Sequence, residues 1–332
     1  MVTRDRCRGA LLGLAIGDAL GAPTEGMTPD AIRAAHGRVE DFLGQDVSGT
    51  DDTEYGVLCA QGLLELGHRL TSHDVAAVWN KAVVSQNGGF HGAGFSEMVA
   101  IANLRAGIGP PVSGNDSYES WSDGAAMRVA PIGVFCAGEP AEAARLARED
   151  AQVSHAADGI YGAQAIAAAV ARALVTDDYT EVVAAGLAAV AEDSWTGRLL
   201  RRALAVASAA PTLEDAERDL YREVPLFHYP WPDSAPEAVA LAFGLFAAAG
   251  GAFVPSVLSA VNIGRDSDTI AAMAGAMAGA LHGESALPER WRTRVRHVSG
   301  VCVTVTGGTD LVKLADDLYN AAHAKQGVRD ER

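Results

Sequence analysis

Residues 262–283 read NIGRDSDTIAAMAGAMAGALHG, and this stretch restricts the fold more than any other. Apolar residues recur at Ile270, Met273, Ala274, Met277, Ala278 and Leu281, which is the spacing of one helix face. Gly275 and Gly279 lie one turn apart and leave room for a second helix to approach closely. Gly283 follows as a stop signal. Such a helix is buried, so the chain must supply other helices to surround it. Its mouth nevertheless carries two carboxylates, Asp266 and Asp268, and then Thr269. One acid at a helix start is ordinary, because the first N–H groups and the helix dipole favour negative charge. A cap needs one acid, and here there are two and a threonine. A second cluster, GTDDTEYG at 49–56, sets Asp51 and Asp52 between Thr50 and Thr53.

The rest of the chain repeats the helical pattern. Cys7, Ala10, Leu11, Leu14, Ala15 and Asp18 share a face near the start, and Ile160, Ala163, Ala167, Val170 and Leu174 share another. The abundance of alanine favours helix. The longest apolar run, 238–251, is bracketed by Pro236 and Pro255 and falls short of the ~18 residues of a membrane span, so it reads as a core helix. Only VCVTVTG at 301–307 has strand composition, and one run makes no sheet. The expectation is an all-α, compact multi-helix protein, with one domain over 1–325 and a charged, fraying tail at 326–332. The loops richest in chemistry are 49–53, 88–94, 113–124 and 262–269.

Composition narrows the partners. The 332 residues suffice for a large core, and 49% hydrophobic against 20% charged residues describes a folded chain. A net charge of -16, from 26 basic and 42 acidic residues, repels phosphate backbones and attracts cations. General nucleic-acid binding and membrane insertion are therefore not expected. Cys7, Cys59, Cys136 and Cys302 form no C-x-x-C pair, which argues against zinc or a redox dithiol and fits buried thiols in a reduced, cytoplasmic setting. The apolar run near the N-terminus imitates a signal peptide, but it is short, ends in Asp18 and reads as part of the fold.

Carboxylates and threonine hydroxyls, with no His or Cys beside them, are hard ligands suited to Mg²⁺, Mn²⁺ or Ca²⁺ rather than zinc. Neither cluster suffices alone. Together they could hold two ions, although two unrelated helix caps would explain the spacing equally well. Asp18 lies on an apolar face, where a carboxylate needs either a cation or a buried hydrogen bond. Glu25 follows Pro23 and alone would be an ordinary surface acid. His155 precedes a helix, where a structural role is the commoner one. The aromatic segment FHYPWPDSAPEA, 227–238, is either a stacking wall or, as composition favours, a loop packed on the core. Residues 114–133, with Gly124, mix small polar residues in the manner of a backbone-rich ligand loop.

Five segments in order, GALLGLAIGDALGAPTEG, TDDTEYG, WSDGAAMRVAPIG, SHAADGIYGAQAIAAAVARAL and NIGRDSDTIAAMAGAMAGALHG, resemble the ADP-ribosylglycohydrolase family over nearly the whole chain. The resemblance implies an all-α fold with two Mg²⁺ (or Mn²⁺) ions in a cleft. Thr50, Asp51 and Asp52 match one half of that metal site, and Asp266, Asp268 and Thr269 the other. It implies hydrolysis of a glycosidic bond at the anomeric carbon of a ribose, with Asp51 or Asp52 steering water and Glu25 acting near the ribose. Asp18, Gly124, His155 and Arg265 are assigned to the substrate, an ADP-ribosylated protein or a ribosylated small molecule. The alternatives are an N-glycosidase for another ribosyl nucleotide or nucleoside-like metabolite, and a non-catalytic ADP-ribose-binding protein. The chain departs from the family at Arg265, where glycine is usual. A guanidinium there is expected either to face the cleft and bind phosphate bidentately, or to point to solvent. Glu54 and Tyr55 are expected to reshape the approach to the site.

Overall fold

The computed structural model describes residues 2–45, 47–86, 93–229 and 231–323. Six helices position the site: α1 (Arg4–Gly21), α2 (Asp51–Leu66), α3 (Ala157–Ala173), α4 (Ala235–Ala248), α5 (Phe253–Ile263) and α6 (Ser267–His282). α6 is buried continuously from Ser267 to Leu281, so the expected stripe is part of a helix sealed on every side. Its closest cover is the chain's own first helix.

Gly9, Gly13, Gly17 and Gly21 recur every fourth residue along one edge of α1. A Cβ on Gly9 would stand 2.2 Å from the Gly279 carbonyl oxygen, one on Gly13 2.1 Å from that of Gly275, and one on Gly17 2.0 Å from that of Ala271. The reciprocal contacts are as tight, with Gly275 and Gly279 meeting the carbonyls of Gly13 and Gly9 at 2.2 and 2.0 Å. Only glycine lets two backbones touch in this way. The register is antiparallel, and Gly21 at the end of α1 lies against Ser267 and Asp268 at the start of α6. Asp18, one turn before Gly21, is thereby carried to Asp268 from the opposite end of the chain.

The other expected core elements form. Ile160, Ala163, Ala167, Val170 and Leu174 are all buried. The apolar run expected at 238–251 folds as α4 three residues earlier, with Pro236 in its first turn, where the missing N–H costs nothing. Pro255 sits in the first turn of α5 instead of closing α4.

Among the described residues there is no strand, and the only bridges are the isolated pairs Ser122–Ser234 and His297–Asp310. Residues 301–307, despite their strand composition, make a 3-10 turn at Thr304–Thr306. Their N–H groups find a carboxylate in place of a neighbouring strand: Val301 and Cys302 donate to Glu54 at 2.8 Å and Val303 at 2.5 Å. Glu54 is thus a buried anchor for that loop, and Tyr55 is buried against Trp79 at 5.0 Å. Neither reshapes the mouth of a cleft as expected. All four cysteines are buried and free. No described helix is long and apolar enough to cross a membrane. The tail at 326–332 and residues 88–92 of the loop at 88–94 lie outside the described residues.

Candidate metal and substrate cleft

The site begins where α2 begins. Thr50 is the N-cap residue of α2, yet its own side chain does not cap it. The capping oxygen comes from α1. Asp18 is fully buried and its carboxylate accepts from the Thr50 N–H at 2.9 and 2.8 Å, from the Thr53 N–H at 3.1 Å and from the Thr53 hydroxyl. An anion on the free N–H groups of a helix start is stabilised by both hydrogen bonds and dipole. The Thr50 hydroxyl is left to donate to Asp52 Oδ2 at 3.2 Å.

Two carboxylate triads meet in front of this junction. Asp18, Asp52 and Asp268 bring ligand oxygens within 4.8 Å of one another, and so do Glu25, Asp266 and Asp268. Asp268 belongs to both. Asp52 Oδ1 and Asp268 Oδ1 are buried without any hydrogen-bond partner. Buried acceptors left unpaired in this way are costly unless something binds them, and oxygen-only donors fit a hard cation. Asp52 and Asp268 are both among the ligands expected from sequence, whereas Asp18, assigned there to the substrate, now stands with them. Glu25, expected to act near the ribose, stands with Asp266 and Asp268 and is exposed. Asp51 falls outside both triads, and its Oδ2 accepts from the Gly94 N–H at 3.2 Å. Thr269 is buried behind Asp268.

The electrostatics agree. Burial raises the Asp18 carboxyl to about 6, against the opposing pull of the Thr53 and Thr50 hydrogen bonds. Burial and then the Glu25 charge raise Asp268 to about 7. Asp52 is held well above the carboxylate range by burial, Asp18 and Asp268, and Asp266 by burial, Asp123 and Asp268. Asp51 is also raised, by burial and by Glu97. So many acids packed together without a counter-charge would stay ionised only if a cation sat among them.

Sequence reasoning missed the layer beneath. Arg128 is buried and donates to Asp150 at 2.7 Å, Glu97 at 3.1 Å, the Gly124 carbonyl at 3.1 Å and the Ser154 hydroxyl at 3.1 Å, with its guanidinium 5.0 Å from the centre of the Trp79 ring. The Ser154 hydroxyl meets His155 Nδ1 at 2.7 Å, and Ser122 meets His155 Nε2 at 2.9 Å. Ser96 links Ser122 to Glu97, each at 2.8 Å, and closes a ring of buried polar groups. His155 is therefore an interior link, 1% exposed and held neutral chiefly by burial, and not the substrate contact expected. The space beside Gly124 is filled by Glu97, whose Oε1 would lie 2.4 Å from a Cβ placed there. The signal available in sequence was Arg128 inside the apolar run AAMRVAPIG, a charge that had to find buried partners.

Arg265 also departs from expectation. Its backbone takes φ +60°, the left-handed region that explains why glycine suits this position. Its Nε and Nη2 donate to the buried carboxylate of Glu237 at 2.5 and 3.0 Å, and its guanidinium lies 5.4 Å from the centre of the Phe227 ring. The bidentate face expected to read a phosphate is already occupied. Glu237 also accepts from the Leu226 N–H at 2.7 Å. In the backbone, the Gly26 N–H donates to the Arg265 carbonyl at 2.7 Å and the Arg265 N–H to the Met27 carbonyl at 3.0 Å. Arg265 thus ties the loop after Glu25 to the aromatic segment around Phe227.

A profile of the ADP-ribosylglycohydrolase family matches residues 1–327. An uncharacterized protein of Archaeoglobus fulgidus is 34% identical over 295 residues, covering 86% of this chain and 90% of the relative. The ADP-ribosylarginine hydrolase Tri1 of Pseudomonas putida is 27% identical over 96% of this chain and 79% of its own length. The ADP-ribosyl-[dinitrogen reductase] glycohydrolase of Rhodospirillum rubrum is 24% identical over 88% and 90%. Among solved structures, an ADP-ribosylglycohydrolase-related protein complex aligns with a TM-score of 0.67 and 25% identity, covering 96% of this chain and 98% of that one.

Proposed function

Because this chain belongs to the ADP-ribosylglycohydrolase family, a glycoside hydrolase lineage, we propose that its acidic cleft is a two-ion site for Mg²⁺ or Mn²⁺ that hydrolyses ADP-ribosyl groups from a protein or a small molecule. The observation that carries the reading is the pair of carboxylate triads sharing Asp268, with two of their oxygens buried and unpaired. Asp18, Asp52 and Asp268 would hold one ion, and Glu25, Asp266 and Asp268 the other, with the Thr50 and Thr269 hydroxyls alongside. When bound, the ions act as Lewis acids toward the ribose hydroxyls and a water.

The chain's own residues supply the remainder. Asp51, half-buried and held by the Gly94 N–H, is the carboxylate left free to orient a water and take its proton. Glu25 stands at the open side, where it meets the ribose and gates access. The crowd of carboxylates favours the positive charge that develops on the ribose as its anomeric bond breaks. Residues 1–325 act as one catalytic domain, and the free buried thiols suit a reduced, cytoplasmic setting.

The printed activities of the Pseudomonas putida and Rhodospirillum rubrum relatives support ADP-ribosyl substrates. A second reading, hydrolysis of a nucleoside-like ribosyl metabolite, is favoured by one observation: Arg128 and Arg265 are both bound to buried carboxylates instead of facing a diphosphate. Calorimetric titration with Mn²⁺ tests the site. Two ions are expected for the wild type, and Asp268→Asn should weaken both. Unchanged stoichiometry and affinity in that variant would rule out the shared ligand.

A further inference from the structure

Glu25 has no anchor of its own. Among the described residues none donates a hydrogen bond to its carboxylate, and the residue is exposed. Its place beside Asp266 and Asp268 is therefore set by backbone. That backbone is laced to the segment that carries those two acids. Upstream, the Thr24 and Ser267 hydroxyls are 2.9 Å apart, and both reach the Gly21 carbonyl, at 2.9 and 3.0 Å. Downstream, the Gly26 N–H donates to the Arg265 carbonyl at 2.7 Å and the Arg265 N–H to the Met27 carbonyl at 3.0 Å. Gly264 permits the approach, since a Cβ there would stand 2.1 Å from the Met27 carbonyl oxygen. Support from the other side is light. The short helix Pro29–His36 that follows buries only Ile32, and it borders a cavity of about 950 Å³ shared with Leu213, Glu217 and Tyr221.

The lacing turns on Arg265. Its φ of +60° is a conformation that costs any residue bearing a Cβ. A strained residue persists where its surroundings hold it, often beside a functional site. Here the hold is Glu237, fully buried in the first turn of α4. Its carboxylate takes Nε and Nη2 of Arg265 at 2.5 and 3.0 Å and is itself fixed by the Leu226 N–H at 2.7 Å. Phe227, 5.4 Å from the guanidinium, packs edge-on against Tyr221 and covers the pair. The ion pair thus bolts residues 264–265 to α4, and residues 26–27 are bolted with them.

We propose that Arg265 is a positioning residue: through its two bonds to Glu237 it holds Glu25 at the second triad, so that this half of the site stands formed before an ion or substrate arrives. The proposal rests on the two-ion hydrolytic reading. Arg265 acts through the backbone of the Glu25 loop, as the partners behind metal ligands act by fixing where the ligand atoms stand.

The test compares the full chain as wild type, Arg265→Gly, Arg265→Lys, and Arg265→Gly combined with Glu237→Gln. The double variant separates position from stability. It removes the uncompensated buried charge and should regain melting temperature, but it lacks the bolt. In the ion-free protein, hydrogen exchange over residues 22–29, read by mass spectrometry, should quicken at least about tenfold in Arg265→Gly and in the double variant. Residues 50–53, whose N–H groups bind Asp18, should keep their rate. In calorimetric titration with Mn²⁺, one of the two ions should lose about ten- to a hundredfold in affinity in both variants, the usual loss when the partner behind a metal ligand is removed. The other ion should bind as before. Arg265→Lys, which keeps the charge but not the fork, should fall between. Affinity that returns with melting temperature in the double variant would overturn the proposal and leave Arg265 a stabilising residue only. So would unchanged exchange at 22–29, or faster exchange with both ions bound as tightly as in the wild type. Release of ADP-ribose from ADP-ribosylarginine is read on the same samples. A wild type without turnover, whose variants still show the exchange and affinity effects, sinks hydrolysis and upholds the role of Arg265. Turnover with two ions that are indifferent to every variant sinks that role alone.

Discussion

Replacing Arg265 by glycine sets two terms from the structure against each other. The residue sits at φ +60°, and relieving a non-glycine residue of that conformation gains about 1 kcal/mol. The same change strips a fully buried Glu237 of both bonds to the guanidinium, at 2.5 and 3.0 Å, and leaves its carboxylate only the Leu226 N–H. Breaking a buried pair by removing one partner costs about 3–5 kcal/mol, and the low end applies because Arg265 keeps 14% exposure through which water can enter. The net is a loss of roughly 2 kcal/mol, or a fall in Tm of about 3–5 °C for a chain of this size. Differential scanning calorimetry with Mg²⁺ present measures it. Adding Glu237→Gln to the Arg265→Gly variant should recover at least half of the loss, because the uncompensated charge is gone. A variant as stable as wild type, or more stable, would refute the reasoning and show that backbone strain outweighs the ion pair.

Gly275→Ala puts a Cβ 2.2 Å from the Gly13 carbonyl and should cost at least ~1–3 kcal/mol while weakening Mg²⁺ binding, because parting α1 from α6 separates Asp18 from Asp268; Gly62→Ala, whose nearest neighbour is 3.8 Å away, should do neither in the same melts and titrations. Arg128→Met leaves Glu97 and Asp150 buried without their partner and should lower stability by about 3–5 kcal/mol in urea unfolding, and an unshifted midpoint would contradict the network. In the ion-free protein Asp18 and Asp268 hold protons up to about 6 and about 7, well above their unfolded value of ~3.9. The native state therefore binds more protons than the unfolded chain, and stability should fall as pH rises from about 4 to about 7. Mg²⁺ should stabilise more at pH 7.5 than at pH 5; a Tm gain from Mg²⁺ that does not grow with pH would count against the cation site.

Much of this was legible in sequence because it is periodic or clustered. Gly275 and Gly279 announced a close helix partner, and the acids at 51–52 and 266–268 announced oxygen ligands. What stayed hidden depended on which elements meet. The partner was α1, whose glycines at every fourth position are recognisable only once the antiparallel register is known. Asp18 looked like a lone acid on an apolar face; it caps a helix that begins thirty-odd residues later and joins a triad with an acid from the far end of the chain. His155 and Gly124 sit in segments that resemble ligand-binding ones, yet their side-chain space is filled by Ser122, Ser154 and Glu97. Arg265 found a partner in Glu237, an acid that nothing local to either residue connects to it. The strand-like composition at 301–307 was overridden by one carboxylate, Glu54, offering its oxygens to three successive N–H groups.

The most direct test of the central claim is release of ADP-ribose from ADP-ribosylarginine, followed chromatographically for the wild type and for Asp268→Asn. The account predicts turnover with Mg²⁺, loss of turnover in EDTA with full recovery on adding Mg²⁺ back, and a drop of at least about a hundredfold in Asp268→Asn, whose fold is unchanged by circular dichroism. Turnover indifferent to EDTA, or a kcat in Asp268→Asn equal to that of the wild type, would contradict it.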